Sequence, residues 1–274
     1  MMKRALTLLQ LVTLTQFGCG AHHFSSNELK KTSRGNHWGD LRARLELAVS
    51  AVAELAKESL RQQQASDMGT DDSDGSPPSA RGDRLTLAVR KELAVALRDL
   101  VQHGLLQTSR SRSVVPFGGC LPSRTAPPRL LHAWDLVLVY YRLKRGVQYN
   151  ATPQRRLSQS FGLSVVGGTA ITSKHTLLSA VGNIIASHTP LKRTADAHFK
   201  AFVCAGLNAR KLSSWLRLIL KCQAITEEYY QPWSYVISTG SDDALSCVAR
   251  LEKHRFQLPE DLAVRQLRGI RDAF

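Results

Sequence analysis

Six histidines, one cysteine and four carboxylates are the residues of this chain best suited by type to catalysis. The histidines are His103, His132, His175, His188, His198 and His254, and the thiol is Cys204. General acid–base work needs a base poised beside a partner, and paired-carboxylate or divalent-metal chemistry needs several acids together. Between Arg84 and Thr226 the only acids are Glu92, Asp99, Asp135 and Asp196, well separated along the chain. Cys204 falls inside a helical pattern, not at an exposed helix N-terminus where a thiolate is favoured. His22 and His23 follow Cys19, yet a zinc site takes four ligands at recognisable spacing and nothing completes the set. Gly118-Gly119 lacks the strand–loop–helix setting of a phosphate cradle. The chain therefore reads as non-enzymatic, with no catalytic residue, metal, cofactor or small-molecule substrate expected.

The chemistry that remains is cationic. Lys and Arg number 37 against 22 acids, a formal net charge of +15. Such a balance favours acidic partners: nucleic acid, anionic lipid or an acidic protein surface. At about 100° per residue, the α-helical step, Arg210, Ser214, Arg217 and Lys221 line the side opposite Trp215 and Ile219. Arg84, Lys91 and Arg98 recur every seven residues, on the far side from Leu85, Val89, Leu93, Ala96 and Leu100. The six cations are the candidate partner-binding residues. The plainer reading of any such charge run is a solvated face.

These residues need elements to hold them. Thr194 to Val236 is the centre of the pattern. Phe199, Phe202, Val203 and Leu207 recur at helical spacing, as do Leu212, Trp215, Leu216 and Ile219. Asn208 lies near the join, where Asn tolerates the left-handed geometry that ends a helix. Tyr229, Tyr230 and Trp233 crowd the exit, with Pro232 closing the turn. Leu93, Trp134, Phe199, Phe202, Leu207, Trp215, Tyr230 and Trp233 are the expected core. Before this centre the spacing predicts helices over 84–103, ended by Gly104, and over 130–144, with Leu131, Trp134, Val137, Leu138 and Tyr141 inward. A third is capped by Thr172 or Ser173 and stopped by His188 and Pro190. Residues 105–128 and 146–168 read as irregular. After the centre, Ser241 caps a helix holding Leu245, Val248 and Leu251, and Pro259 starts the last, with Leu262, Leu267 and Ile270. No convincing period-two strand appears. The fold class is all-α, one domain of about seven or eight helices over 84–274.

The rest is appended to that domain. Residues 1–39 are ambiguous. Lys3 and Arg4 precede an apolar run from Ala5 to Leu14, and Cys19-Gly20-Ala21 could serve as a cleavage site. Arg81-Gly82-Asp83 and the Asn150-Ala151-Thr152 sequon would then gain extracellular meanings. Against that, Thr7, Gln10, Thr13 and Thr15 dilute the run. The cysteines, five in number, leave one over from any full pairing and sit largely in helical patterns, so a cytoplasmic compartment is expected. Over 40–64, capped by Asp40, the residues Leu41, Leu45, Ala48, Val52 and Leu55 form a heptad-like seam. It can pack on the main domain or support self-association as a short coiled coil. Residues 65–83 hold four Asp among Gly, Ser and Pro77-Pro78, and read as a disordered linker.

The order Lys200, Phe202, Leu207, Asn208, Leu212, Trp215 and Tyr229-Tyr230 resembles the most characteristic block of the RUN domain family. ELAVALRDLVQHGL resembles the first block of that family and 130–144 the second. The resemblance runs from about Leu85 to Phe274 and includes RLSQSF and YYQPWSY; the final segment, LPEDLAVRQLRGIRDAF, is its most specific part. Lys200 stands where the family has Arg, Phe202 where it has Trp, Cys204 where Arg is common and Gly206 where it has Ala. The resemblance implies a helical adaptor that binds a protein partner, a small GTPase of the Ras superfamily, in signalling or membrane traffic. It also favours the coiled-coil reading of 40–64.

Two alternatives stay open. Nucleic-acid binding or a scaffold role would use the same basic surface, although no helix-turn-helix, zinc finger or RNA-recognition motif is present and the aromatics sit at core spacing. Anionic lipid would need an apolar insertion face that the helices devote to the core. One outcome is testable without further structure. Limited proteolysis should cut first within 65–83, which lacks the apolar surface needed to offset its conformational entropy. Earlier cleavage within 199–221 would remove the proposed centre of the fold.

Overall fold

The apolar stripes become helices that close around one of their own number. The computed structural model describes residues 38–67, 84–108, 129–153, 155, 165–166, 169–170 and 172–264. All of them fall within a single unit, His37–Phe274. Residues 1–37, the body of the acidic stretch at 68–83, Gly118-Gly119, RLSQSF after Arg155, and 265–274 with Leu267 and Ile270 lie outside the described residues.

Helix α1 spans Trp38–Asp67. Its Leu41, Leu45, Ala48, Val49, Val52 and Ala56 are buried against the stretch beginning at residue 84 and against the last helical elements of the chain. The heptad-like seam is thus filled from within the chain, and an Arg42–Asp243 ion pair of 2.8 Å pins it. The next stretch is α-helical at 84–87, π-helical over Ala88–Leu93 and α-helical again in α2, Ala94–Gln102. A π turn holds more residues than an α turn, so positions beyond it rotate away from the face an uninterrupted α-helix would give them. Arg84, Lys91 and Arg98 therefore do not form one outward strip. Arg84 and Lys91 are exposed, Arg98 is half-buried, and Arg90 turns inward with 8% of its surface left.

Gly104, at φ +76°, reverses the chain after α2. Residues 104–106 then run alongside 229–231: Leu106 N donates to Tyr229 O at 2.9 Å and Gln231 N to Gly104 O at 2.8 Å. Strand β1 (Gln107–Thr108) pairs antiparallel with β2 (Arg129–Leu130). Helix α3 (Ala133–Leu143) opens on a capping box. His132 Nδ1 accepts from Trp134 N at 3.0 Å, and Asp135 Oδ2 accepts from His132 N at 2.9 Å. A left-handed Arg145 turns into α4, Gly146–Ala151. A two-residue pair, β3 (Val165–Val166) with β4 (Thr169–Ala170), follows. Residues 146–168 are therefore less irregular than their spacing suggested. Among the described residues these two short ladders are the only strands, and the fold is all-α.

Helix α5 (Ser173–His188), N-capped by the Thr172 hydroxyl, leads through a 3-10 turn at Thr189–Leu191 to α6, Ala195–Asn208, capped by Thr194. Then come α7 (Leu212–Leu220), α8 (Gln223–Tyr229), α9 (Tyr235–Thr239), α10 (Asp242–Ala249) and a 3-10 turn at Arg250–Lys253. From Ala94 onward the described residues hold nine α-helices. The excess over seven or eight comes from α4, α8 and α9, of 6, 7 and 5 residues, too short to show a helical period.

The core is aromatic at its centre. Phe202 touches Phe199, Trp134 and Trp215 at ring-centroid distances of 6.0, 6.3 and 5.7 Å. Trp215 is fully enclosed and its indole N–H donates to Thr176 Oγ1 at 3.1 Å, which removes the penalty of burying that donor. Leu93, Leu207 and Tyr230 are also buried, and Tyr230 donates its hydroxyl proton to Val101 O at 2.7 Å.

Three residues depart from their expected roles. Trp233 is 54% exposed. The turn at Pro232 swings it over the edge of His103, at 5.3 Å and 88°, instead of into the core. Asn208 ends α6 in helical geometry, and the left-handed residue is Arg210. The Asn208 amide clamps a segment fifty residues on, accepting from Leu258 N at 2.8 Å and donating to Leu258 O at 2.9 Å. Ser241 precedes α10 but at φ +62°, and its buried hydroxyl makes no cap bond.

Gly104 gives the sharpest test of this arrangement. A Cβ there would fall 2.7 Å from Ser234 Cα, and the positive φ is costly for any L-residue. Gly104→Ala should destabilise the fold by about 2–4 kcal/mol, the sum of left-handed strain and a forced backbone shift. Urea unfolding checks it, and an unchanged midpoint would show that residue 104 does not adopt this geometry.

Candidate partner-binding surface

Helix α7 is amphipathic in the strict sense. Leu212, Trp215, Leu216, Ile219 and Leu220 are buried, while Arg217 is exposed and Ser214 half-exposed. Lys221 sits just beyond the last turn, where a cation complements the helix dipole. Arg210 lies outside the helix, in the left-handed turn from α6, with its N–H on Leu207 O at 2.9 Å. The structure thus brings Arg217 and Lys221 together and sets Arg210 apart at the other end of α7.

The two that meet are not free. Arg217 Nη1 lies 3.2 Å and Lys221 Nζ 2.8 Å from opposite oxygens of Asp242, the first residue of α10. Lys221, by its hydrogen bond, holds the Asp242 carboxyl below the usual carboxylate range, and Arg217 adds to this. All three side chains are solvent-exposed, and such pairs contribute little to stability. With Ser173, Ser214 and Leu218 they line an open depression between the start of α5 and the end of α7.

Arg98 is built differently. Its Nη1 meets Asp196 Oδ1 at 2.7 Å, its Nη2 meets Asp99 at 2.8 Å, and Lys200 reaches the other oxygen of Asp196 at 2.6 Å. Arg44 of α1 approaches Asp99 at 3.4 Å. Burial opposes the charge of Arg98, yet hydrogen bonds to Asp99 and Asp196 outweigh it and raise its pKa. Burial likewise pushes Asp196 up, while Lys200 and Arg98 more than reverse it. Arg98 therefore joins α1, α2 and α6 and is not a free surface cation, unlike Arg84 and Lys91.

Sequence reasoning missed Asp242, Arg90 and the Asp196–Lys200 pair. The last was legible, since an acid four residues before a lysine on a helix is a standard favourable pair. Asp242 lies 21 residues from Lys221 and carries no local signal. Arg90 needed the π segment, which no spacing rule reveals. Its Nη1 lies 3.8 Å from Cys204 Sγ and 3.4 Å from Pro259 O.

The candidate bases occupy structural positions. Burial pushes the Cys204 thiol up to about 11, the reverse of what a nucleophile requires. His103 Nδ1 accepts from Tyr235 N at 2.9 Å, and His175 stacks on Tyr149 at 4.9 Å. His188 and His198 are buried with ring centroids 5.4 Å apart. Among the described residues no group of three or more His, Cys, Asp or Glu side chains could hold a metal ion, and no helix is long and apolar enough to cross a membrane.

A pH dependence follows from His188. Burial pushes its pKa down, with His198, Arg90 and Arg193 adding to the effect, and its Nε2 is buried without a hydrogen-bond partner. Burial also lowers His175 and His254, which are more exposed. A depressed histidine binds its proton more readily in the unfolded chain. Stability should be full above about pH 6.5, the unfolded value, and fall as pH drops toward the depressed folded values, by at most about 1.4 kcal/mol per pH unit for each such histidine. Urea midpoints between pH 8 and 5 would show this fall, and His188→Gln should flatten it. A flat wild-type profile would contradict the burial of His188.

The RUN domain family model matches residues 92–262. Small G protein signaling modulator 3 from Homo sapiens is 28% identical over 199 residues, which cover 69% of this chain and 24% of that protein. The protein of the same name from Bos taurus is 29% identical over 159 residues, 57% of this chain and 19% of that one. The Xenopus laevis homolog is 26% identical over 181 residues, 65% and 21% respectively. The chain thus spans about a quarter or less of the length of these relatives. RLSQSF, YYQPWSY and the final segment taken alone point to RUN domain-containing protein 1, whereas the matched relatives bear the name Small G protein signaling modulator 3.

Proposed function

We propose, since the chain belongs to the RUN domain family, that it is a non-enzymatic adaptor that docks an acidic protein partner, a Ras-superfamily small GTPase, in the cytoplasm. The relatives carry small G protein signaling in their name, which supports the choice of partner class. The observation that carries the reading is the α7 surface: Arg217 and Lys221 exposed at the open end of a helix whose other face is locked by Trp215, with Asp242 alone competing for both. An anion on a partner can replace Asp242 without disturbing the core. Arg210, at the far end of α7, and the exposed Arg84 and Lys91 are further cations that such a partner could meet. The burial of Cys204 and of the His188–His198 pair supports a non-enzymatic role. Self-association through α1 has little support, because its seam is occupied within the chain. The nucleic-acid alternative lacks a stacking platform, because Trp134, Phe199, Phe202 and Trp215 are enclosed.

Association kinetics with a panel of nucleotide-loaded small GTPases would test this. Arg217→Glu with Lys221→Glu should slow association with the cognate partner about tenfold at low salt and weaken its salt dependence. Asp242→Asn, which frees both cations, should speed it. Both variants should stay folded, since exposed substitutions usually move stability by about half a kcal/mol or less. Unchanged kinetics in both folded variants would reduce the α7 cations to a solvated face. Loss of tight nucleic-acid binding instead would favour the alternative.

A further inference from the structure

The corner between α3 and α4 carries what the sequence seemed to lack for lipid binding, an apolar face that the core does not claim. Leu143, on the last turn of α3, is 49% exposed, and Val147, on the first turn of α4, is 67% exposed. Tyr141 and Gly146, beside them in sequence, are buried, so the corner is anchored while its apolar tips stand clear. Gly146 makes this possible, because a Cβ there would run into the Tyr141 ring.

Three cations flank the tips. Arg142, Lys144 and Arg145 are all exposed. Arg142 donates to Leu138 O at 3.3 Å, and Lys144 lies over the Tyr140 ring at 5.7 Å. Among the described residues none of the three enters an ion pair. Helix α8 packs on α3 and carries two acids: Glu227 accepts from Gln223 at 2.7 Å, and Glu228 bonds Tyr229, which also feels the charge of Arg142. Arg145 holds a left-handed φ of 52°, where Gly or Asn would be less strained. The sequence around the corner is one-sided too: no acid occurs between Asp135 and Asp196, while eight Lys and Arg do.

We infer that the α3–α4 corner seats on the anionic face of a lipid bilayer, with Leu143 and Val147 entering the headgroup boundary and Arg142, Lys144 and Arg145 meeting the acidic headgroups. Two exposed apolar tips either side of a tight turn, with cations between them, match the apolar-beneath-anionic layering of a lipid surface. The long aliphatic stems of Arg and Lys let their charges reach headgroups while the tips go deeper. The inference does not depend on a GTPase partner, because it uses a different surface.

The test is co-sedimentation of the full chain with phosphatidylcholine vesicles and with vesicles containing about one-third phosphatidylserine, each variant first checked for a wild-type thermal midpoint. Wild type should bind the anionic vesicles only. Arg142→Gln with Lys144→Gln and Arg145→Gly should weaken binding about a hundredfold, the value of three surface cations at about 1 kcal/mol each. Leu143→Ser with Val147→Ser, which leaves the charge unchanged, should weaken it about tenfold. Removing three charges elsewhere, by Lys192→Asn, Lys253→Gln and Arg255→Gln, should matter much less. Equal losses from the two charge sets, or wild-type binding by the Leu143→Ser/Val147→Ser variant, would show only the general attraction of a basic chain and overturn the proposal. Failure of the wild type to bind the anionic vesicles would also overturn it, and loss of a GTPase partner by the corner variants would then make the corner a protein surface.

Discussion

Most helices of a domain bury one stripe, but α6 buries its whole circumference. From Ala201 to Leu207 seven consecutive residues are enclosed, so no face of this segment can be left to water. Such a helix is stable only when surrounded. The π segment, α2, α3, α5 and α7 all lie against it. The fit is close where α7 begins, because a Cβ at Gly206 would come 3.1 Å from Leu212 Cα. The polar groups of α6 are confined to its two ends: Asp196 and Lys200 in the Arg98 network, and Asn208 on Leu258. The element that organises the fold thus also determines which charges are structural and which are left outside.

The centre was legible because its signal is local. Phe199, Phe202 and Leu207 fall three to five residues apart, and Trp215 with Ile219 repeats the step on α7. The failures share one physical origin, which is dependence on residues distant in sequence. Trp233 looks like a core residue until the 104–106 strip takes the backbone beside it and turns the indole outward. Asn208 looks like a helix terminator until its amide finds a peptide group fifty positions on. The three short helices are held by tertiary contacts and have no period of their own. Arg90 and Arg98 belong to a stretch whose seven-residue charge repeat is real in the sequence and broken in space by a single π turn.

The basic character of the chain divides accordingly. Arg98 and Lys200 neutralise carboxylates between helices, and Arg42 fastens α1 to Asp243. Arg217 and Lys221 share one exposed acid that holds them in place without quenching them. Among the described residues the three cations of the α3–α4 corner form no ion pair. A net charge of +15 is therefore unevenly distributed, and only the exposed part can act on another molecule.

The clamp beneath the last described segment has a kinetic meaning. Arg90 meets Pro259 across 169 positions and Arg42 meets Asp243 across 201, so the outer wall around α6 closes between the beginning and the end of the domain. Contacts of such separation form late, since loop-closure entropy must be overcome before they add stability. During synthesis, a chain that has just emitted α6 holds its central helix while Leu245, Val248, Phe256 and Leu258 do not yet exist. The ribosome extends a chain by about 5–20 residues per second, so the interval lasts seconds. In that time the nascent protein leaves the apolar faces of α6 open to aggregation, until the next fifty residues arrive.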